Sequence, residues 1–174
     1  MLETKCPTSS QNVHLGRACH NLLPTKANLC RKGVCEEKIC PICLQEDETV
    51  LHVTWECPAA TDVWGGSTIK LQKWRTGGEN FLQLFSEMIS RCDKEDVELF
   101  ATTARKLWVR RNMVVHGGNF NHPNQVLKEA MTAVEDYQRL NTTFSQQLMS
   151  NHVAAGVKWV PPPANTVKVN WDRL

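Results

Sequence analysis

Apolar and polar residues divide the chain into short elements first and long ones later. Val13 to Asn21 permits one short helix, and Pro24-Thr25 opens a second through Leu29 that Gly33 closes, with Pro and Gly where helix starts and stops favour them. Pro58 to Trp64 reads as one or two helical turns ended by Gly65-Gly66, and residues 69–80 as an irregular connection. Phe81, Leu84, Phe85, Met88 and Ile89 then mark a short amphipathic helix. Between Asp93 and His116, Val97, Phe100, Ala101, Ala104, Leu107, Trp108 and Val115 recur at helical spacing, with Asp93 as N-cap and Gly117-Gly118 as the stop. Pro123 begins a further helix in which Val126, Ala130, Ala133, Tyr137, Leu140 and Phe144 form the seam of a helix packed lengthwise on another. At the C-terminus, Val160-Pro-Pro-Pro-Ala is a stiff extended spacer, and Thr166 to Trp171 alternates like a strand that has no sheet to join. The pattern predicts a mainly α chain: a small cysteine-rich module, an antiparallel helical bundle and an extended tail.

Composition narrows the class. With 41% apolar and 22% charged residues in 174, the chain is ordinary globular material. No apolar run approaches the roughly 20 residues of a membrane helix, and the first residues lack a signal-peptide core, so the expectation is an intracellular, reducing location, cytoplasm or nucleus, with no membrane partner. Of the eight cysteines, Cys6, Cys19, Cys30, Cys35, Cys40, Cys43 and Cys57 precede residue 58 and only Cys92 follows. In a reducing compartment such crowding reads first as metal binding. Charge is uneven: +3 over residues 1–43, −5 over 44–66, +3 over 67–118 and +1 over 119–174. No segment is basic enough for charge alone to declare a nucleic-acid binder.

Cys40-Pro-Ile-Cys43, His52 and Cys57 give C-x2-C-x8-H-x4-C. The first pair chelates from a tight turn and the second completes a tetrahedron across a short loop, as structural Zn2+ requires. No fifth ligand is evident, which points away from a catalytic metal. Such a site contributes on the order of 10 kcal/mol to folding a segment too small to hold itself together. The alternatives are scattered free cysteines, or Cys35 or Cys30 substituting as a ligand, since Cys35 lies five positions before Cys40. Three thiolates and a neutral imidazole leave the zinc complex at −1, and Glu46, Asp47, Glu48 and Glu56 add negative charge with no Lys or Arg among them. Such a knuckle repels phosphate. Any grip on nucleic acid is therefore expected from Arg17, Lys26, Arg31, Lys32 and Lys38 upstream, or from Arg105, Lys106 and Arg110 in the bundle. Arg111 falls on the stripe of Val97, Phe100, Ala104 and Trp108, where it needs a carboxylate or carbonyl partner or marks a surface shared with another domain.

Arg17-Ala-Cys-His-Asn-Leu-Leu-Pro-Thr-Lys-Ala-Asn-Leu, Cys40-Pro-Ile-Cys43, Glu48-Thr-Val-Leu-His52, Cys57-Pro-Ala-Ala and Val63-Trp64 resemble the zinc-binding domain that follows reverse transcriptase in plant non-LTR (LINE-type) retrotransposons. Trp108-Val-Arg-Arg-Asn-Met-Val-Val-His116 resembles the helical connector of the same polyproteins. Lys158-Trp-Val-Pro-Pro-Pro and Val167-Lys-Val-Asn-Trp-Asp172 are similar to the lead-in and first strand of the ribonuclease H domain that comes next. The resemblance implies zinc ligands at Cys40, Cys43, His52 and Cys57. It divides the chain into a disordered leader (1–12), the zinc-binding domain (13–66), a helical connector (67–152), and a linker with a truncated first strand (153–174). It makes Asp172 the first of several carboxylates needed to hold two Mg²⁺ ions. The others are missing and Arg173 replaces the usual Gly, so no catalytic activity is expected. The family commonly begins its first helix with Phe-Leu-Trp-Arg, where this chain has His14-Leu15-Gly16-Arg17, which predicts a loosely held helix. The resulting expectation is a non-catalytic accessory fragment of a reverse transcriptase polyprotein. Its partners would be RNA or single-stranded DNA and the neighbouring reverse transcriptase or ribonuclease H domains. The rival expectation is a zinc-stabilised structural or protein-interaction module that ignores nucleic acid.

Overall fold

The structure, a computed structural model, describes residues 9–68, 71–72 and 78–151, with side chains described from residue 13 to residue 142. Within them six α-helices succeed one another: α1 (Ser9–Cys19), α2 (Lys26–Arg31), α3 (Pro58–Gly65), α4 (Phe81–Arg91), α5 (Lys94–Val115) and α6 (Pro123–Asn151), with a π-helical turn at His52–Glu56. No strand occurs among the described residues; the only strand-like pairing there is an isolated antiparallel bridge between Ile39 and Asp47. The chain is therefore mainly helical. The spacer at 160–164, the strand at 166–171 and Asp172 lie outside the described residues.

Local chemistry sets the helix ends. Thr25 caps α2 by accepting from the Asn28 amide, and Asn80 caps α4 by accepting from Gln83. Asp93 caps α5 through Asp96, as its sequence predicts. Gly33 and Gly117 stand just past the ends of α2 and α5 with φ of 72° and 75°, a conformation that costs other residues about 1 kcal/mol. α1 reaches four residues upstream of the expected start at Val13.

Two units divide the chain, Met1–Arg139 and Leu140–Leu174, and the described part of the second is the end of α6. In the first, α5 is the central element, packed on α1, α4 and the π turn. Trp55, Trp64 and Phe100, each fully buried, form the centre of the core. Trp64 stacks on Phe100 at 5.3 Å, Trp55 lies 5.3 Å from Trp64, and Phe81 lies 6.1 Å from Phe100. Residues on both sides of position 66 thus share one hydrophobic cluster.

α6 runs antiparallel to α5. Lys106 Nζ meets Glu129 at 3.0 Å, and the Gln138 amide donates to Glu98 at 3.0 Å, so rising numbers on one helix match falling numbers on the other. The expected seam holds only near its start. Val126 and Ala130 are buried with Leu127, Ala133 and Tyr137 are half-buried, and Leu140 is 70% exposed. The side chain of Phe144 lies outside the described residues.

Candidate metal centre

The four sequence-predicted ligands meet in space. The Cys40, Cys43 and Cys57 sulfurs and a ring nitrogen of His52 all lie within 4.8 Å of one another, with Cys40, His52 and Cys57 buried. Cys43 Sγ and His52 Nε2 are 3.3 Å apart. A tetrahedral zinc with Zn–S bonds of about 2.3 Å separates its sulfurs by roughly 3.8 Å, so the donor set fits that ion.

The first pair sits on a knuckle closed by backbone bonds. The Cys40 amide donates to Glu46 O at 2.8 Å, the Leu44 amide to Cys40 O at 3.0 Å, and the Glu48 amide to Lys38 O at 2.7 Å. The reversal places Leu44 at φ 57°, a left-handed conformation that favours Gly. Its side chain gains no burial in return, being 73% exposed.

The second pair depends on the π turn. In an α-helix residues five apart point about 140° away from each other, so His52 and Cys57 could not chelate together. Widening the turn to the i→i+5 hydrogen bond brings the fifth residue back over the first. Here the Cys57 amide donates to His52 O at 2.8 Å. Pro58 has no N–H to extend the pattern and opens α3 at its first position. The Trp64 indole N–H donates to Thr54 O at 2.8 Å. The spacing H-x4-C carries a signal for this turn that hydrophobic periodicity does not.

Electrostatics treat the clustered groups unequally. Hydrogen bonding to Cys57 and then burial push the Cys40 thiol up to about 11. The bond from Cys40, opposed by burial and aided by the Ala59 amide at the start of α3, holds Cys57 below the usual thiol range. Burial pulls His52 down, but hydrogen bonds to Cys40 and Cys43, and their charge, outweigh it and leave the imidazole above its ordinary value. A bound zinc would take the place of the thiol protons in this cluster.

Residues 2–64 match the family model for zinc-binding in reverse transcriptase. No curated protein and no solved structure matches the chain. The reverse transcriptase zinc-binding match ends at the tryptophan that supports the π turn, so it covers the whole metal centre. Cys30 and Cys35 are not ligands in this arrangement: their sulfurs face each other at 3.0 Å.

The matched segment is tied to the rest of the molecule by Glu48, an acid that sequence position alone places among the surface charges of the knuckle. Glu48 is fully buried. Arg111 grips it with two bonds, Nε to Oε1 at 2.7 Å and Nη2 to Oε2 at 2.5 Å, and the Lys26 amide at the start of α2 adds a third at 2.6 Å. Arg111 thus has the carboxylate partner that its place on the core stripe demands, and Glu46, Asp47 and Glu56, the acids grouped with Glu48 in the sequence, stay exposed. Arg110, expected on an outward basic face, is also buried. It donates to Ala59 O and Asn121 O and lies over the Phe120 ring. α5 is enclosed on several sides, burying Thr102 and Thr103 as well, so it lacks the polar face a two-sided wheel assumes.

The other basic candidates separate into two places. Arg31 ends α2, and Lys32 and Lys38 follow in the segment that leads to the knuckle; all three are exposed, and Lys38 lies close enough to Cys30 to act on its charge. Arg17 is exposed on α1, where with Arg105 it acts on His14. Lys26 faces Glu37 at 3.6 Å, and Lys106 is paired with Glu129. Among the described residues no helix is long and apolar enough to cross a membrane.

Proposed function

We propose that the chain is a zinc-stapled accessory region of a non-LTR retrotransposon reverse transcriptase, without catalysis of its own, that touches RNA or single-stranded DNA beside its zinc centre. The observation that carries this reading is the four-ligand cluster inside a segment matched to zinc-binding in reverse transcriptase. Arg31, Lys32 and Lys38 are the cations we assign to the contact, because they reach the surface while Arg110 and Lys106 are engaged elsewhere. With Arg111 neutralising Glu48, the repulsion opposing phosphate near the knuckle is weaker than the sequence charge implies.

Fluorescence anisotropy of the zinc-loaded chain with a single-stranded RNA, and separately a DNA, across a salt series tests the proposal. Binding should weaken as salt rises, and replacing Arg31, Lys32 and Lys38 together by Ala should flatten the salt dependence by up to about three phosphate contacts. Absence of binding at the lowest salt would favour the second reading, a zinc-ordered module that meets protein partners such as the adjoining polymerase. The exposed Glu46, Asp47 and Glu56 speak for that alternative.

A further inference from the structure

Cys30 and Cys35 stand outside the metal cluster and make a site of their own. Both are half-buried thiols, and their sulfurs approach to 3.0 Å. A disulfide needs about 2.05 Å, so roughly 1 Å of side-chain rotation separates the pair from a bond. The turn that brings them together is tightly built. Gly33 adopts φ 72°, the Gly33 amide donates to Cys30 O at 2.9 Å, and the Val34 amide donates to Leu29 O at 2.9 Å. Asn28, two residues before Cys30, is anchored by donating its side-chain amide to Asn21 O, Asn21 Oδ1 and Leu23 O. The Cys35 thiol reaches Glu37 O at 3.4 Å and Lys26 O at 3.6 Å. Ring closure therefore orders little that the fold has not already ordered.

We propose that Cys30 and Cys35 form a zinc-independent dithiol site that small-molecule disulfides such as glutathione disulfide oxidise to an intrachain disulfide. Burial and the hydrogen bond with Cys35 push the Cys30 thiol up to about 11, which disfavours Cys30 as the first nucleophile. The Cys35 thiolate bonds to one sulfur of glutathione disulfide, whose S–S bond breaks. One glutathione leaves with the electron pair and takes a proton from water. Cys30 then gives up its proton and attacks Cys35 Sγ, expelling the second glutathione thiolate. Two protein thiols are oxidised by two electrons and one glutathione disulfide is reduced to two thiols. The product locks the Arg31-Lys32-Gly33 loop in a closed ring.

The test equilibrates the zinc-loaded chain in glutathione buffers of increasing oxidised fraction, blocks remaining thiols by acid-quenched alkylation, and maps peptides while a chromophoric chelator reports released zinc. Trypsin cuts after Arg31 and Lys32, so the disulfide joins Ala27–Arg31 to Gly33–Lys38. The linked pair should replace both alkylated peptides while zinc stays bound. A Cys30→Ser chain should instead hold glutathione on Cys35. The proposal fails if the linked peptides never form, if they form only as zinc is released, or if Cys35 in the Cys30→Ser chain stays unmodified. None of these readouts depends on nucleic-acid binding.

Discussion

Glu48 receives a guanidinium and a helix-start amide while wholly shielded from water, so its removal would strand Arg111 as an uncompensated charge. Glu48→Ala should lower the stability of the zinc-loaded chain by about 3 to 5 kcal/mol in a urea titration. A loss below about 1 kcal/mol would mean that water or another group takes over. Half of this pair is legible in the sequence, because a helical wheel puts Arg111 on an apolar stripe and so requires a partner. Glu48 is not, because an acid in a hydrophilic loop between metal ligands looks like any surface charge until the chain closes around it. Leu44 is a similar case: only backbone geometry reveals that a leucine occupies a left-handed turn.

At the scale of elements, α1 carries the weakest chemistry. His14 packs on Trp108 with ring centroids 6.4 Å apart, and its Nε2 is buried without a hydrogen-bond partner among the described residues. Burial first, then the charges of Arg105 and Arg17, lower its pKa from 6.5 to about 4. Since the folded state resists a proton that the unfolded chain accepts, this helix adds no penalty above pH 6.5 and a growing one as pH falls towards 4. Allowing for partial solvent exposure, the penalty is about 1 to 2 kcal/mol. Stability curves of the parent and His14→Phe chains should diverge through that window, the variant losing less; parallel curves would refute the assignment. The sequence marks α1 through Gly16, a poor residue inside a helix, and capping residues and glycines locate most other helix boundaries. The π turn escapes because hydrophobic periodicity assumes a single helical pitch, and five residues are too few to reveal a different one.

For the molecule, the metal centre and the long helices are one structure in the first unit. Trp55 lies between His52 and Cys57 in sequence and contacts Phe100 of α5 at 6.0 Å, so the ligands and the aromatic core share a backbone segment. Stripping zinc with a strong chelator should therefore erase the near-ultraviolet aromatic signal and reduce helicity well beyond the knuckle, consistent with a metal contribution on the order of 10 kcal/mol. If the aromatic signal survives chelation, the helices fold without the metal. Sequence spacing picks out the four side chains that the fold gathers into a candidate metal centre, since chelation leaves a spacing signature, whereas burial of Arg110 depends on α3 and the segment before α6, which no local pattern records. The π turn also constrains which insertions and deletions the gene for such a chain can accept. Deleting one residue between His52 and Cys57 would let an ordinary α turn present both to a metal, yet it would rotate the downstream helix by about 100° and turn Trp64 away from Phe100. Adding one would separate the ligands outright. The length of this segment is therefore read twice, once by the metal and once by the core, and only the present length satisfies both.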